Sequence, residues 1–418
     1  MGLLDPLTAI MAAFCLLGVL LYKRVNLGIT LTATAIVLAL LALDWQSIPA
    51  LAYTTVDPST ADGLLAISVI LATFGIAWLS QLYKETSQIT KLSESISRLV
   101  KNSKIVLSVI PAIIGLLPVA GGALMSAPIV DAEAEKLKLK PEKKAYINLW
   151  FRHTIFPVYP LSQVLITTSA LTGTPLFSIV LLQVPIVSVM VAAGFLVGFW
   201  KTPACKEKKK VEEPSSLKVF ILSFSPILTT IIVAVYLNVS GYGFSQQGFD
   251  VLIATFAGLA VLTAISRSSF KTLMKPLQNL SIYGVTLAVY GAFLLRNVMK
   301  AAGISKIFQP LVSNGSLDIM ILLTAVPMAL GFLTGSPSGA VAIGASILTG
   351  ILTFTPKTSA LLYISTYLGY VVAPTHLCFT FTADYFKSPL GKVYRYLIPS
   401  FLATFTAALT VYFLPFSI

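Results

Sequence analysis

The sequence predicts an all-α polytopic membrane protein made of two inverted repeats, each with five transmembrane helices and one re-entrant helical hairpin. Three observations carry that expectation. The chain is 56% hydrophobic and only 11% charged over 418 residues, more apolar than a soluble core requires. The stretch Lys104–Asp131, KIVLSVIPAIIGLLPVAGGALMSAPIVD, is apolar enough for membrane depth, yet Pro111, Pro118, Gly121, Gly122 and Pro128 interrupt it. A shift of 216 residues then pairs Lys84 with Lys300, Pro111 with Pro327 and Gly115 with Gly331, with no gap between these anchors. Matches in one register that join two similarly broken apolar stretches point to an internal duplication.

The broken stretch is read as a hairpin because each interior proline removes a backbone hydrogen bond and clashes with the preceding turn. Two short helices meeting at a bent tip near Val119–Ala123 fit better than one continuous helix. Irregular backbone at membrane depth is tolerated where it is buried in protein or lines a cavity, so the tip is a candidate site. Its counterpart is Thr334–Gly339, TGSPSG, again small and turn-forming.

The N-terminal repeat is expected over residues 1–200, with spans at about 7–22, 27–43, 63–83, 146–171 and 176–200 and the hairpin at 105–130. Residues 201–216 form a polar linker. The C-terminal repeat covers 217–418, with spans at about 217–239, 248–265, 278–299, 357–382 and 393–415 and the hairpin at 318–352. Five spans per half would place the repeats in opposite orientations.

Charge tests that path. With Lys23 and Arg24 inside, 24 of the 29 basic residues fall on the inner side, including the run Lys136–Lys144 and the linker Lys201–Lys218. The positive-inside rule expects this asymmetry; both termini come out external, in a cell membrane. The basic excess of +13 is thereby assigned to membrane orientation and not to nucleic acid. The linker reads as solvated chain, a lipid-binding basic patch being the alternative. Residues 88–103 place Ile89, Leu92, Ile96 and Leu99 at helical spacing, which reads as an amphipathic helix along the inner surface. Cys15, Cys205 and Cys378 are isolated and suggest neither a disulfide framework nor a thiolate metal site.

Chemistry concentrates after the first hairpin, in NLWFRHTIFPVYPLSQVLITTSA from Asn148 to Ala170. Arg152 and His153 begin an apolar span that Pro157 and Pro160 break. A cation at membrane depth costs a few kcal/mol and normally faces a cavity or a partner; the alternative is that Arg152 snorkels to the inner surface and His153 merely packs. The counterpart span carries Ser365, Thr366, Pro374, Thr375 and His376, with Pro157 opposite Pro374 at a shift of 217. The acidic residues all fall in loops or at span ends, and there is no HExxH or Walker A sequence. These absences exclude an intramembrane aspartyl protease, a metalloprotease of that type and an ATPase. What remains is a lining of hydroxyls, backbone groups and an arginine, which favours anions.

Five spans plus a re-entrant hairpin in inverted repeats, each followed by a broken helix, resemble the ion transporter superfamily of secondary carriers, which includes dicarboxylate/citrate carriers and gluconate permeases. More closely, LPVAGGALMSAP followed by NLWFRHTIFPVYP is similar to a family of integral membrane proteins regarded as permeases. The resemblance covers essentially the whole chain. It implies elevator-type transport, substrate held between hairpin tips and broken helices, and a homodimer. The tips depart from the Ser-Asn-Thr pattern of the dicarboxylate carriers, which argues against a di- or tricarboxylate but not against an anion.

The expected function is a secondary active transporter for a small organic anion, and not an enzyme. Arg152 would pair with the anion, while Gly121, Gly122, Ser126, Ser336 and Ser338 would supply contacts at the tips. Thr154, Ser365, Thr366 and Thr375 are the polar groups near the breaks, and His153 and His376 join them as substrate-binding candidates. Sodium near Ala120 and Gly335 is the expected coupling ion, with protons on His153 or His376 as the alternative; no other cofactor is expected. A lipid-phosphate flippase is the competing reading. An intramembrane transferase with His153 as general base is the more remote one.

Overall fold

The computed structural model describes residues 2–100, 102–117, 122–202, 214–240, 248–315 and 317–415. Among these the chain is helical, with no strand. Seven helices are long and apolar enough to cross a membrane, as a polytopic membrane protein requires. Several shorter apolar helices lie between them.

The first half runs α1 (Pro6–Tyr22), α2 (Leu27–Ala42), a short α3 (Ile48–Thr54), α4 (Ala61–Glu85), α5 (Gln88–Leu99), α6 (Ser103–Gly115), α7 (Gly122–Lys136), α8 (Pro141–Thr154), α9 (Gln163–Thr172) and α10 (Leu176–Phe199). The second half runs α11 (Pro214–Val239), α12 (Phe249–Ser266), α13 (Phe270–Met274), α14 (Leu280–Ala301), α15 (Ser305–Ser313), α16 (Ile319–Leu323), α17 (Ala325–Thr334), α18 (Pro337–Leu348), α19 (Pro356–Val371), α20 (Leu377–Tyr385) and α21 (Leu390–Phe413).

Helix ends follow local chemistry. Asp5 caps α1 by accepting from the amides of Leu7 and Thr8, and Asn26 caps α2 through Gly28 N–H. Thr355 and Thr358 form a reciprocal capping box at α19. Gly335, at φ +59°, ends α17 in the left-handed conformation that glycine adopts without strain. Pro111 and Pro128 lie inside α6 and α7. The chain between α8 and α9 contains Pro157 and Pro160, where a 3₁₀ turn replaces the α-helix. The chain between α19 and α20 contains Pro374.

The helices pack as two groups. In one, α14 lies along α2 and α4, while α12 packs on α11 and α4. Small residues bring α2 and α14 close, since a Cβ on Gly28 would meet Gly284 O at 2.7 Å. In the other group, α6 packs on α7 and α8, α17 on α18 and α19, and α10 on α21. The groups meet mainly where α14 contacts α18, and also where α5 contacts α6 and α4 contacts α9. Leu181, Leu196, Leu222, Ile232, Ile398 and Leu402 of α10, α11 and α21 are exposed, an apolar periphery suited to lipid.

Two expectations change. The amphipathic helix α5 does not lay its apolar face on lipid: Ile89, Leu92 and Ile96 are buried because α5 packs on α11 and α6. Ser223 donates to Gln88 Oε1 at 2.9 Å across that contact. The linker expected over 201–216 ends earlier, since α11 begins at Pro214. Residues 203–213, which hold most of the linker, lie outside the described residues.

Candidate functional site

The site is assembled where α7 begins, α8 ends and α20 begins. A helix leaves its last carbonyls and its first amides without partners, so termini gathered at one depth concentrate backbone hydrogen-bonding groups. At the end of α8, Tyr367 donates its hydroxyl to His153 O at 2.8 Å. The carbonyl of Arg152 faces Gly115, where a Cβ would approach it to 2.4 Å.

Arg152 is 2% exposed. Its guanidinium lies against Gly122, the first residue of α7, and a Cβ there would sit 2.3 Å from Nη2. Nε and Nη1 are buried without a hydrogen-bond partner among the described residues. A buried cation with unused donors at the N-terminal, positive end of a helix forms a local positive centre. Snorkelling does not describe this residue, because its side chain turns into the protein.

Asn148, one turn before Arg152, holds the start of α7 in place. Its amide donates to Ala123 O at 2.9 Å and to Thr382 Oγ1 at 3.3 Å. Ser126 donates to Asn148 Oδ1 at 2.6 Å. One buried amide thus joins α7, α8 and α20.

His153 and His376 meet edge to face with ring centroids 4.8 Å apart. Tyr370 lies over His376 at 3.9 Å. Nδ1 of His153 is 2.7 Å from Leu149 O, and Nδ1 of His376 is 3.4 Å from Val371 O. Cys378 joins this pair: one ligand atom from each of His153, His376 and Cys378 lies within 4.8 Å of the others. Distance along the chain says nothing about a cysteine that a distant helix brings in.

The turn between α17 and α18 frames a different space. A cavity of about 180 Å³ is lined by Asn26, Thr73, Gln163, Thr167, Ser336 and Ser338, with apolar residues of α14. It lies where the two helix groups meet. Thr73 Oγ1 is buried there without a hydrogen-bond partner among the described residues. A cavity of this size suits a ligand of roughly six heavy atoms, about that of benzene.

The remaining candidates divide. Thr154 and Thr366 return their hydroxyls to Phe151 O and Leu362 O in their own helices, so they are locally satisfied. Ser365 Oγ is buried with no hydrogen-bond partner among the described residues. Thr375 is exposed and donates to Phe332 O at 3.3 Å, bracing Gly335, whose Cβ would meet Thr375 Oγ1 at 2.6 Å. Ser336 caps α18 through Gly339 N–H. Gly121 and Ala120 lie outside the described residues. Sequence reasoning passed over Asn148, Gln163, Thr73 and Cys378. The first two stood inside the Asn148–Ala170 segment, but Thr73 and Cys378 carry no local signal.

A family model described as a protein of unknown function (DUF401) matches residues 7–415. No curated protein matches the chain.

Proposed function

The chain belongs to the DUF401 family, and we propose that it is a secondary active transporter for a small organic anion, working by elevator-type alternating access with sodium or proton coupling. The observation that carries this reading is Arg152: a buried guanidinium whose Nε and Nη1 have no hydrogen-bond partner among the described residues, set against the first residue of α7. A guanidinium offers a planar fork of donors that matches a carboxylate or similar anion.

Two inverted repeats are supported by the element bounds. Adding 216 to α5 gives 304–315, beside α15 at Ser305–Ser313. The same shift carries α8 to 357–370, beside α19 at Pro356–Val371, and α10 to 392–415, beside α21 at Leu390–Phe413. Contacts correspond as well: α7 packs on α8 and α20, and α18 on α19 and α9. Gly115 meets the carbonyl of Arg152, and its match Gly331 meets the carbonyl of Thr366. Paired helices α6–α7 and α16–α18 are then the two re-entrant hairpins, one from each side.

The division into two helix groups with a cavity of mixed polar and apolar lining at their junction favours a rigid-body slide of one past the other. Gln163, Thr167, Ser336 and Ser338 come from the group that holds the hairpins, and Asn26 and Thr73 from the other. The small cavity favours a compact substrate.

Uptake of a panel of labelled small carboxylates and phosphonates into proteoliposomes, with and without a sodium gradient, tests the reading. Gradient-driven accumulation is expected in the parent and lost in Arg152→Gln. Accumulation of none of the panel above empty liposomes, or equal accumulation by both proteins, would overturn it.

A further inference from the structure

We propose that His153, His376 and Cys378 form a binding site for a divalent transition-metal ion of the zinc class. The proposal does not rest on transport and goes beyond it. The three residues come from the end of α8 and the start of α20, so an ion there would tie the two interrupted helices together.

Ligand chemistry is the first argument. Two imidazoles and a thiolate are the donor set preferred by zinc and its neighbours, with a fourth position left open. The three donor atoms lie within 4.8 Å of one another. A tetrahedral zinc ion holds neighbouring nitrogen and sulfur donors roughly 3.3–3.5 Å apart, so closure asks for side-chain adjustments on the order of 1 Å.

Ring orientation is the second. Each histidine directs Nδ1 at a backbone carbonyl, Leu149 O for His153 and Val371 O for His376. A carbonyl accepts only, so Nδ1 carries the proton and Nε2 presents a lone pair. This is the arrangement by which backbone carbonyls orient metal-binding imidazoles. His376 Nε2 is buried with no hydrogen-bond partner among the described residues, an orphaned acceptor that an ion would satisfy. The same tautomers make the pair unsuited to gripping an anion, because an Nε2 lone pair repels a carboxylate oxygen. Arg152, the residue before His153, points instead at Gly122.

Binding would convert the Cys378 thiol to thiolate and release one proton, with both imidazoles remaining neutral. No electron transfer is involved.

The test uses the full-length protein in detergent with Cys15→Ser and Cys205→Ser, so that Cys378 is the remaining cysteine. Cobalt(II) and zinc(II) are titrated separately, zinc against a chromophoric chelator. The expected result is one ion per chain, a cobalt–thiolate charge-transfer band and the intense visible bands of tetrahedral cobalt. Cys378→Ser should abolish the charge-transfer band and weaken zinc binding by at least about 100-fold, since loss of outer-shell partners alone costs up to that much. His376→Asn should weaken it comparably. Metal-free melting and elution profiles show that each variant is folded, and the near-isosteric Cys378→Ser decides if His376→Asn fails. Absence of the thiolate band in the parent at saturating cobalt, or parental zinc affinity in Cys378→Ser, would overturn the proposal.

Discussion

The guanidinium of Arg152 and the Cα of Gly122 lie so close that even a methyl group on Gly122 would fall 2.3 Å from Nη2. The obstacle is the far end of a flexible side chain and not backbone, so a larger residue at 122 would displace the arginine before it disrupted the fold. Gly122→Ala should therefore remain inserted and folded while its substrate affinity drops about tenfold, the equivalent of one charge-assisted hydrogen bond at roughly 1.5 kcal/mol. Gly122→Val should abolish uptake. Uptake kinetics beside thermal melting in detergent check both; parental uptake in Gly122→Val would mean that this contact is packing alone.

Arg152 separates stability from function. Donors without a partner among the described residues cost desolvation, so Arg152→Gln should melt no lower than the parent without substrate, as expected where an active site is held at the expense of stability. Substrate affinity should fall on the order of ten- to a hundredfold in Arg152→Gln, and Arg152→Lys should recover only part of it because lysine lacks the planar fork. A clear drop in melting temperature with unchanged affinity would make Arg152 a structural residue.

Gly331 and Gly369 interlock α17 and α19. A Cβ on Gly331 would meet Thr366 O at 2.1 Å, and one on Gly369 would meet Met328 O at 2.0 Å. Both obstacles are backbone and cannot swing away, so either alanine substitution should destabilise by about 1–3 kcal/mol or more. Gly391, whose Cβ would meet nothing within 4 Å, is the control: Gly391→Ala should be neutral or slightly stabilising within its helix. Thermal melting of the three variants gives the comparison.

Asn148→Ala should loosen α7 from α8 and α20 together. It removes the donor to Ala123 O and Thr382 and the acceptor of Ser126, leaving buried groups unpaired at about 1–3 kcal/mol. The expected outcome is lower melting together with impaired uptake. Amide hydrogen exchange should rise at the N-terminal turn of α7 and around Thr382 in α20, and unchanged exchange there would place the coupling elsewhere.

Orientation is open to direct measurement. The basic run around Lys208–Lys210 should face the cytoplasm. A single cysteine at position 210 should therefore resist an impermeant maleimide on intact cells and react after permeabilisation. Labelling of intact cells would reverse the topology.

Much of the fold was legible because its signals are local. Apolar runs of membrane length mark α4, α10, α11, α12, α14 and α21, and Pro157, Pro160 and Pro374 lie in the interruptions between α8 and α9 and between α19 and α20. Proline acts on its own backbone and the preceding turn, so its effect needs no tertiary knowledge. Pro111 and Pro128 show the limit of that reasoning, since both are accommodated inside helices. The amphipathic pattern of α5 marked its buried face, but could not say whether lipid or α11 would cover it.

By itself, the sequence determined that this is a helical membrane protein, where its helices are interrupted, and that Arg152 stands at one of those interruptions. Tertiary structure alone decided that Arg152 turns toward Gly122, that Asn148 links three helices, and that Thr73 shares a cavity with Ser336 and Ser338. It also brought Cys378 to His153, 225 positions away in the chain. The reason is physical: periodicity and backbone chemistry act over one or two turns and are written locally, whereas contacts across the bundle depend on which helices pack together. In a chain built mostly of interchangeable apolar residues, that choice leaves little local trace.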